Sequence, residues 1–186
     1  MPRAADVLIT QTIRSSELDD ATRAAIIDLC IDARPGEATD FERMFSYYMP
    51  TDALHVLGSL DEKLVGHAVV TTRWLQPTGL PLLRTAYIDA VSVAYALQGR
   101  GYGTEVMAKL ATAITDYDIA CLETEKPGFY ARFGWEEWRG PLAGRSESGL
   151  VPTPDQHGVM VLRLPRTPPL DLDALLTIEV TPDRIW

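Results

Sequence analysis

The chain has 186 residues, enough for one domain with a sizeable core. Hydrophobic residues make up 46% and charged residues 23%, a globular balance that disfavours a disordered chain. The net charge of −9 argues against nucleic acid as the main partner, because phosphate binding needs clustered Lys and Arg. An acidic surface suits a cationic substrate, and solubility alone is the alternative explanation.

Targeting and membrane signals are absent from the sequence. No apolar run reaches the roughly 18–20 residues that a membrane helix needs, and residues 1–6 lack the apolar core of a secretory signal. We therefore expect a cytoplasmic protein without a membrane partner.

Cysteine and histidine usage gives little support for a disulfide or a metal. Cys30 and Cys121 lie in apolar or small-residue stretches, which favours two reduced, buried thiols over a bond between them. His55, His67 and His157 are scattered, and neither cysteine has a partner at zinc-ligand spacing. We expect no metal cofactor.

The first third of the chain predicts one strand and two helices. They are a strand over Val7–Ile13, a helix over Leu18–Ala33 capped by Ser15 or Ser16, and a shorter helix through Tyr48 capped by Thr39 or Asp40. Pro35 and Gly36 end the first helix.

The centre of the chain predicts a β-meander followed by a helix. Its strands are Ala53–Leu60, Lys63–Trp74 and Leu82–Val93, separated by turns at Asp61-Glu62 and Gln76–Gly79. After Gly103 the apolar residues recur at helical spacing up to Ile114.

The last third predicts short elements and an irregular tail. They are a buried strand over Ile119–Thr124, a helix from Pro127 through Tyr130 that ends at Gly134, and closing strands over Trp135–Trp138 and Gly158–Leu164 joined by a Gly/Ser/Pro-rich loop. Prolines are dense from Pro165 onward. The element order predicts an α+β fold with a mixed, mostly antiparallel central sheet in a single domain over residues 1–186, and it disfavours a Rossmann domain.

A glycine-rich turn stands between the third meander strand and its helix. In Gln98-Gly99-Arg100-Gly101-Tyr102-Gly103 the glycines permit close backbone approach to a ligand, and N–H groups at the helix start favour an anion such as pyrophosphate. The spacing matches neither the dinucleotide fingerprint nor the nucleotide P-loop. A glycine-rich helix start without a ligand is the alternative.

Three motifs in order resemble the GCN5-related N-acetyltransferase (GNAT) superfamily. Gln98-x-x-Gly101-x-Gly103 is similar to its acyl-CoA signature, Val91-Ser92-Val93 stands where the family's strand follows the pantetheine arm, and Tyr130-x-x-x-Gly134-Trp135 resembles its tyrosine-containing helix. The resemblance implies a GNAT fold and acetyl-CoA as co-substrate, bound by Val91, Val93, Gln98, Gly99, Arg100, Gly101, Tyr102 and Gly103.

The segments Tyr87–Val93, Gly134–Pro141 and Thr153–Asp155 and the terminal Trp186 resemble the aminoglycoside 2'-N-acetyltransferases in particular. That resemblance implies transfer to a 2'-amino group, antibiotic resistance as a biological result, and a homodimer.

The resemblance assigns chemistry to three residues. The Val91 N–H would polarise the acetyl carbonyl, Asp89 would take the ammonium proton through water, and Tyr130 would protonate the departing thiolate. The aminoglycoside enzymes carry a glutamate where this chain has Asp89. An exposed strand carboxylate and a packing aromatic are the alternatives for Asp89 and Tyr130. Without an activated cysteine or a Gly-x-Ser-x-Gly elbow, we expect direct attack by the amine in a ternary complex.

Acidic residues and the terminus are the candidates for acceptor binding. They are Asp40, Asp155, Asp183 and the carboxylate of Trp186, with the tail over residues 165–186 folding back towards the acceptor. Ordinary surface charge is the alternative for each acidic residue. Gln156 and Arg184 stand about where the aminoglycoside enzymes carry acidic residues, and an arginine would repel a cationic acceptor. An acetyltransferase for a polyamine, peptide or cell-wall precursor, and a non-catalytic CoA-binding sensor, are the other hypotheses.

Overall fold

A computed structural model describes residues 7–186, so residues 1–6, where no secretory signal is predicted, lie outside the described part. By their internal contacts the described residues form two compact units, one of residues 7–71 and 89–113 and the other of residues 72–88 and 114–186. The predicted α+β class with a mixed, mostly antiparallel sheet is confirmed. A single domain over residues 1–186 stays a prediction.

The first unit combines three helices with antiparallel strands. Its elements are β1 (Ile9–Arg14), α1 (Asp20–Ala33), α2 (Ala38–Arg43) with a π-helical turn over Met44–Tyr48, β2 (Leu54–Leu60), the start of β3 (Lys63–Pro77), the end of β4 (Leu83–Val93) and α3 (Tyr102–Ala113). Strand β2 pairs antiparallel with both β1 and β3.

The predicted caps of the first two helices are wrong. Asp19 caps α1, because its carboxylate accepts a 2.7 Å hydrogen bond from the backbone N–H of Thr22. Ser15 instead begins a 3₁₀ turn and is buried, and Ser16 lies in the same turn. Thr39 and Asp40, the predicted caps of the second helix, lie inside α2.

A buried cluster in the first unit packs the helices on the strands. Its members come from α1, α2, the π-helical turn, the residue before β2 and strands β2 to β4, and they are Ile26, Cys30, Phe41, Phe45, Ala53, Leu57, Val69 and Ala90. Because α1, α2 and β4 all contribute, this core fixes the end of β4, where Asp89 and Val91 lie.

The second unit is mostly β-structure. Beside the end of β3 and the start of β4 it contains β5 (Ile119–Glu123), α4 (Pro127–Ala131), β6 (Glu136–Glu137), β7 (Leu142–Ser146), β8 (Gly149–Pro152), β9 (Val159–Arg163) and β10 (Leu176–Glu179). Pairs β4–β5 and β10–β7 are parallel, and β9 pairs antiparallel with β5 and β6. Strand β10 also pairs antiparallel with β3.

Three strands of the second unit were missed by sequence reasoning. The predicted loop contains the hairpin β7–β8, and the proline-dense tail contains β10. All four residues of β8 are exposed, so its sequence carries no apolar alternation. Over the described residues, no helix has the length and apolar character needed to span a membrane.

Candidate active site

Strand β4 departs from extended backbone at Ala90. Ala90 has φ +48°, a left-handed conformation that costs a residue with a Cβ roughly 1–2 kcal/mol. It is buried, whereas Asp89 and Val91 on either side are half-buried. The departure therefore falls between the predicted base and the predicted carbonyl-binding amide, which makes this part of β4 a candidate functional feature.

A chain of buried polar groups reaches the same residue. Ring atom Nδ1 of His67 lies 3.0 Å from the carbonyl oxygen of Ala90, and its Nε2 lies 3.0 Å from Nδ1 of His55. His55 Nε2 in turn lies 2.7 Å from the hydroxyl of Ser15. Sequence reasoning set these histidines aside as scattered. A signal was available, since both interrupt apolar runs on two strands that a short hairpin pairs.

The glycine turn follows β4 and leads into α3. Gly99 and Gly101 have φ +77° and +95°, and a Cβ at either position would meet no atom within 4 Å. Positive φ explains glycine at both positions, and the open space leaves room for a ligand against the backbone. Gln98 ties the turn to β4 through a 3.2 Å hydrogen bond from its side-chain amide to the carbonyl of Val93. The turn thus has the backbone freedom and the helix start that suit a pyrophosphate, and its residues fit that group.

The second unit contains Tyr130, on the short helix α4. Its side chain is buried and meets Phe129 and Trp135 edge to face, with ring centroids 4.9 and 6.1 Å apart. Pro127 occupies the first turn of α4, and Gly134 takes φ +86° after the helix ends. The local features around the predicted acid are therefore those expected from the sequence.

The candidate acceptor residues are divided between the units. Asp40 is exposed in the first turn of α2, in the first unit. Asp155 and Asp183 are exposed and Trp186 is buried, all in the second unit. The carboxylate of Asp183 accepts a 2.7 Å hydrogen bond from the hydroxyl of Thr181, which gives it a local structural contact.

Trp186 is held close to the segment that carries Asp155. Its indole N–H donates a 3.0 Å hydrogen bond to the hydroxyl of Thr153, two residues before Asp155. The side chain of Trp186 also belongs to the buried core of the second unit. The chain terminus is therefore packed, and Asp155 and Trp186 lie in one region of the second unit.

Arg184 is directed at an aromatic ring. Its guanidinium carbon lies 5.0 Å from the ring centroid of Tyr87, and that of Arg73 lies 5.1 Å from the same centroid. Cation–π contact offsets part of the cost of placing two arginines at one ring. The charge of Arg184 is thereby engaged within the second unit.

A cleft of about 590 Å³ lies beside Thr153 in the second unit. Its wall combines apolar and proline residues with polar side chains, which include Glu137, Arg139, Thr153, Gln156 and His157. Gln156 thus lines a cavity of a size that ordinary small ligands occupy. Among the residues described, no group of three His, Cys, Asp or Glu side chains could hold a metal ion.

Comparison with known proteins identifies relatives of this chain. A family model described as an acetyltransferase (GNAT) domain matches residues 12–138. A curated relative, the aminoglycoside 2'-N-acetyltransferase of Mycolicibacterium fortuitum, is 28% identical over 94% of this chain and 90% of its own.

Solved structures show the same fold. The GNAT family N-acetyltransferase YhbS of Escherichia coli, crystallised in complex with CoA, superposes with a TM-score of 0.66 at 15% identity, over 98% of this chain and 94% of its own. Escherichia coli ElaA superposes with a TM-score of 0.61 at 21% identity, over 84% of this chain and all of its own.

Proposed function

The chain belongs to the acetyltransferase (GNAT) family and is an N-acetyltransferase, and from that premise we propose that it acetylates an amino sugar. The proposed reaction transfers acetyl from acetyl-CoA directly to a primary amine, in particular the 2'-amino group of an aminoglycoside. The observation that carries this substrate class is the relatedness to the aminoglycoside 2'-N-acetyltransferase over nearly the whole chain. The net charge of −9 is consistent with a polycationic acceptor.

The glycine turn and the end of β4 form the proposed donor site. When bound, acetyl-CoA supplies an activated thioester. N–H groups of the turn, over residues 98–103, and the start of α3 bind its pyrophosphate, and Val91 and Val93 line the pantetheine arm. The open space at Gly99 and Gly101 supports this assignment, because both backbones are accessible to a large anion.

The proposed chemistry uses one backbone amide and two side chains. The Val91 N–H binds the acetyl oxygen, where negative charge develops during attack by the amine. Asp89 accepts the ammonium proton through water, since a primary amine is protonated at neutral pH. The Tyr130 hydroxyl gives a proton to the leaving sulfur, a transfer that is feasible because thiolate and phenolate have comparable basicity.

The proposed acceptor site uses carboxylates. Asp40, Asp155, Asp183 and the terminal carboxylate of Trp186 pair with the ammonium groups of the acceptor. The hydrogen bond from Trp186 to Thr153 supports the part of this proposal that concerns the tail, since it holds the terminus on the segment that carries Asp155. A cytoplasmic location, a homodimer and protection against aminoglycosides are further parts of the proposal.

Matched acceptors test the function. Purified protein is incubated with acetyl-CoA and either an aminoglycoside that carries a 2'-amino group or its analogue with a 2'-hydroxyl, and free CoA thiol is followed. We expect turnover with the 2'-amino compound and not with its 2'-hydroxyl analogue. The product should be heavier by 42 Da, the mass of one acetyl group replacing hydrogen, and NMR should locate the acetyl group on the 2' nitrogen. Turnover only with polyamines or peptides would reject the amino-sugar assignment, and tight CoA binding without turnover of any amine would favour a sensor.

A further inference from the structure

The hydrogen-bond chain from Ser15 to Ala90 runs in one direction. A carbonyl oxygen only accepts, so Nδ1 of His67 carries a hydrogen and donates it to Ala90. Nε2 of the same ring is then an acceptor, which requires Nδ1 of His55 to donate. His55 Nε2 accepts in turn from the hydroxyl of Ser15. One set of tautomers therefore satisfies every member of the chain.

This chain is isolated from water. Both imidazole rings are fully buried, and the ring of Phe45 packs on them with centroid distances of 6.2 Å to His55 and 5.7 Å to His67. The sulfur of Cys30 lies 3.9 Å from Nδ1 of His67 and accepts a hydrogen bond from Ser92. Ala90 O is nearer to Nδ1 and is the stronger acceptor, so the Nδ1 hydrogen is directed mainly to the carbonyl.

The carbonyl of Ala90 and the N–H of Val91 belong to one peptide group. That group is planar and trans, so its C=O and N–H point in opposite directions. A hydrogen bond that fixes the carbonyl therefore fixes the direction of the amide. At Ala90 this restraint is needed, because φ +48° lies outside the conformations that an alanine readily adopts.

We propose that His67, supported by His55 and Ser15, is a positioning residue that orients the Val91 N–H towards the acetyl carbonyl. The inference rests on the proposed role of Val91 in acetyl transfer. His67 binds the carbonyl oxygen of this peptide group, on the side opposite to the Val91 N–H.

The same contact strengthens the amide as a donor. A hydrogen bond accepted by a carbonyl polarises its peptide group and makes the N–H more acidic, and the effect is larger where water is excluded. A relay of three donors therefore both orients and polarises the amide that binds the acetyl oxygen, the atom on which negative charge develops. The turn over residues 98–103 is not part of this relay, so its affinity for CoA is independent of it.

Two substitutions at His67 distinguish the role of its N–H donor from the role of its ring in packing. His67→Asn retains an N–H near the Nδ1 position and loses the ring, whereas His67→Phe retains a ring and loses the donor. The amide resonance of Val91 is followed in ¹⁵N–¹H spectra of each protein, together with kcat, the KM for acetyl-CoA and the Kd for CoA. We expect His67→Phe to shift the Val91 resonance upfield and to lower kcat on the order of 10- to 100-fold with little change in the Kd for CoA. We expect His67→Asn to restore much of both.

Each outcome bears on the proposal. A Val91 resonance and a kcat that are both insensitive to loss of the donor overturn it, and so does a displaced resonance with an unchanged kcat. Loss of kcat and CoA binding together overturns it as well, because that result indicates a merely structural role. If His67→Phe does not fold, Ser15→Ala weakens the relay from its far end and is read by the same resonance. The spectra need no acceptor, so a wild-type protein that acetylates no amino sugar would reject the proposed function while the resonances still test the positioning.

Discussion

The buried guanidinium of Arg73 donates a 2.8 Å hydrogen bond to the backbone carbonyl of Ile185, so a β3 residue holds the penultimate residue of the chain. The same guanidinium pairs with the carboxylate of Glu179 at 3.1 Å. Beyond Ile185, the Trp186 ring is fixed by Thr153. The tail of the second unit is therefore secured at three successive points.

Replacing Arg73 should loosen this tail. We expect Arg73→Met to lower the free energy of unfolding by about 2–3 kcal/mol, because Glu179 loses its buried partner but is itself partly exposed. Urea denaturation measures the change. Arg139→Met is the matched control, since its ion pair with Asp173 is exposed and its loss should be nearly neutral. Equal effects of the two substitutions would contradict the prediction.

Removing Ile185 and Trp186 should weaken binding of the acceptor amine and leave binding of CoA unchanged. We expect a several-fold increase in the KM of the amine and an unchanged Kd for CoA, because the proposed donor site lies on the end of β4 and on α3, which belong to the other unit. Steady-state kinetics and calorimetry give the two quantities. Trp186→Phe is the milder companion, as it keeps a packed ring but loses the N–H to Thr153. Unchanged amine kinetics after truncation would remove the tail from the acceptor site.

A Cβ at Gly101 should weaken CoA binding. We expect Gly101→Ala to destabilise the protein by about 1–2 kcal/mol through its positive φ and to raise the Kd for CoA at least tenfold, because the methyl group enters the space at the turn. Gly36→Ala meets nothing within 4 Å and has no positive φ, so it controls for the substitution. Calorimetry with CoA would contradict the prediction if both variants bound equally well.

Loss of the Tyr130 hydroxyl should slow turnover without unfolding the protein. We expect Tyr130→Phe to lower kcat on the order of 100-fold, because a proton donor to the leaving thiolate is removed while the ring contacts with Phe129 and Trp135 remain. Tyr117→Phe is the control, since its hydroxyl binds Thr72 at 3.0 Å and has no proposed role in catalysis. A comparable fall in kcat for both would point to packing instead of acid catalysis.

Acid should destabilise the protein through its buried histidines. Desolvation lowers the pKa of His55 to about 4 and that of His67 to about 3, with the charge of Arg23 adding to the former and that of His55 to the latter. Both shifts are downward, so below pH 6.5 the unfolded chain binds protons that the folded chain does not. Stability should fall as the pH decreases from about 6.5 towards 4, by up to about 1.4 kcal/mol per pH unit for each histidine.

Urea denaturation across this window measures the dependence. The double variant His55→Gln, His67→Asn should show a shallower slope, because glutamine and asparagine do not titrate. Cys30 makes no contribution here, since burial raises the pKa of its thiol to about 11. A slope that is the same in wild type and variant would refute the assignment to these rings.

The elements that carry the proposed donor site could be predicted from sequence, because its residues are contiguous. Asp89, Val91 and the turn over residues 98–103 follow one another along β4 and into α3, so local signals predicted the strand, the turn and the helix, while their roles stay proposals. The backbone conformation of Ala90 could not be predicted, since an alanine in a sequence does not indicate a positive φ. The contact from His67 depends on pairing between distant segments, which single-sequence periodicity does not report.

The structure around the proposed acceptor residues was harder to predict for a related reason. Asp40 lies on α2, and Asp155 and Trp186 come from a turn and the terminus of another unit. Strand β10 is flanked by prolines, and its pairing with β3 and β7 is what turns an irregular tail into a packed one. Pairing with distant strands, rather than local propensity, determines the secondary structure of this region.

The two buried cysteines allow the unfolding of each unit to be followed by thiol modification. Cys30 lies in the first unit and Cys121 in the second, and each side chain is fully buried. A thiol reagent can therefore modify either one only after its unit opens, and peptide mass spectrometry distinguishes the two modified segments. Equal labelling rates in mild denaturant would mean that the halves unfold cooperatively, and unequal rates would identify the half that opens first.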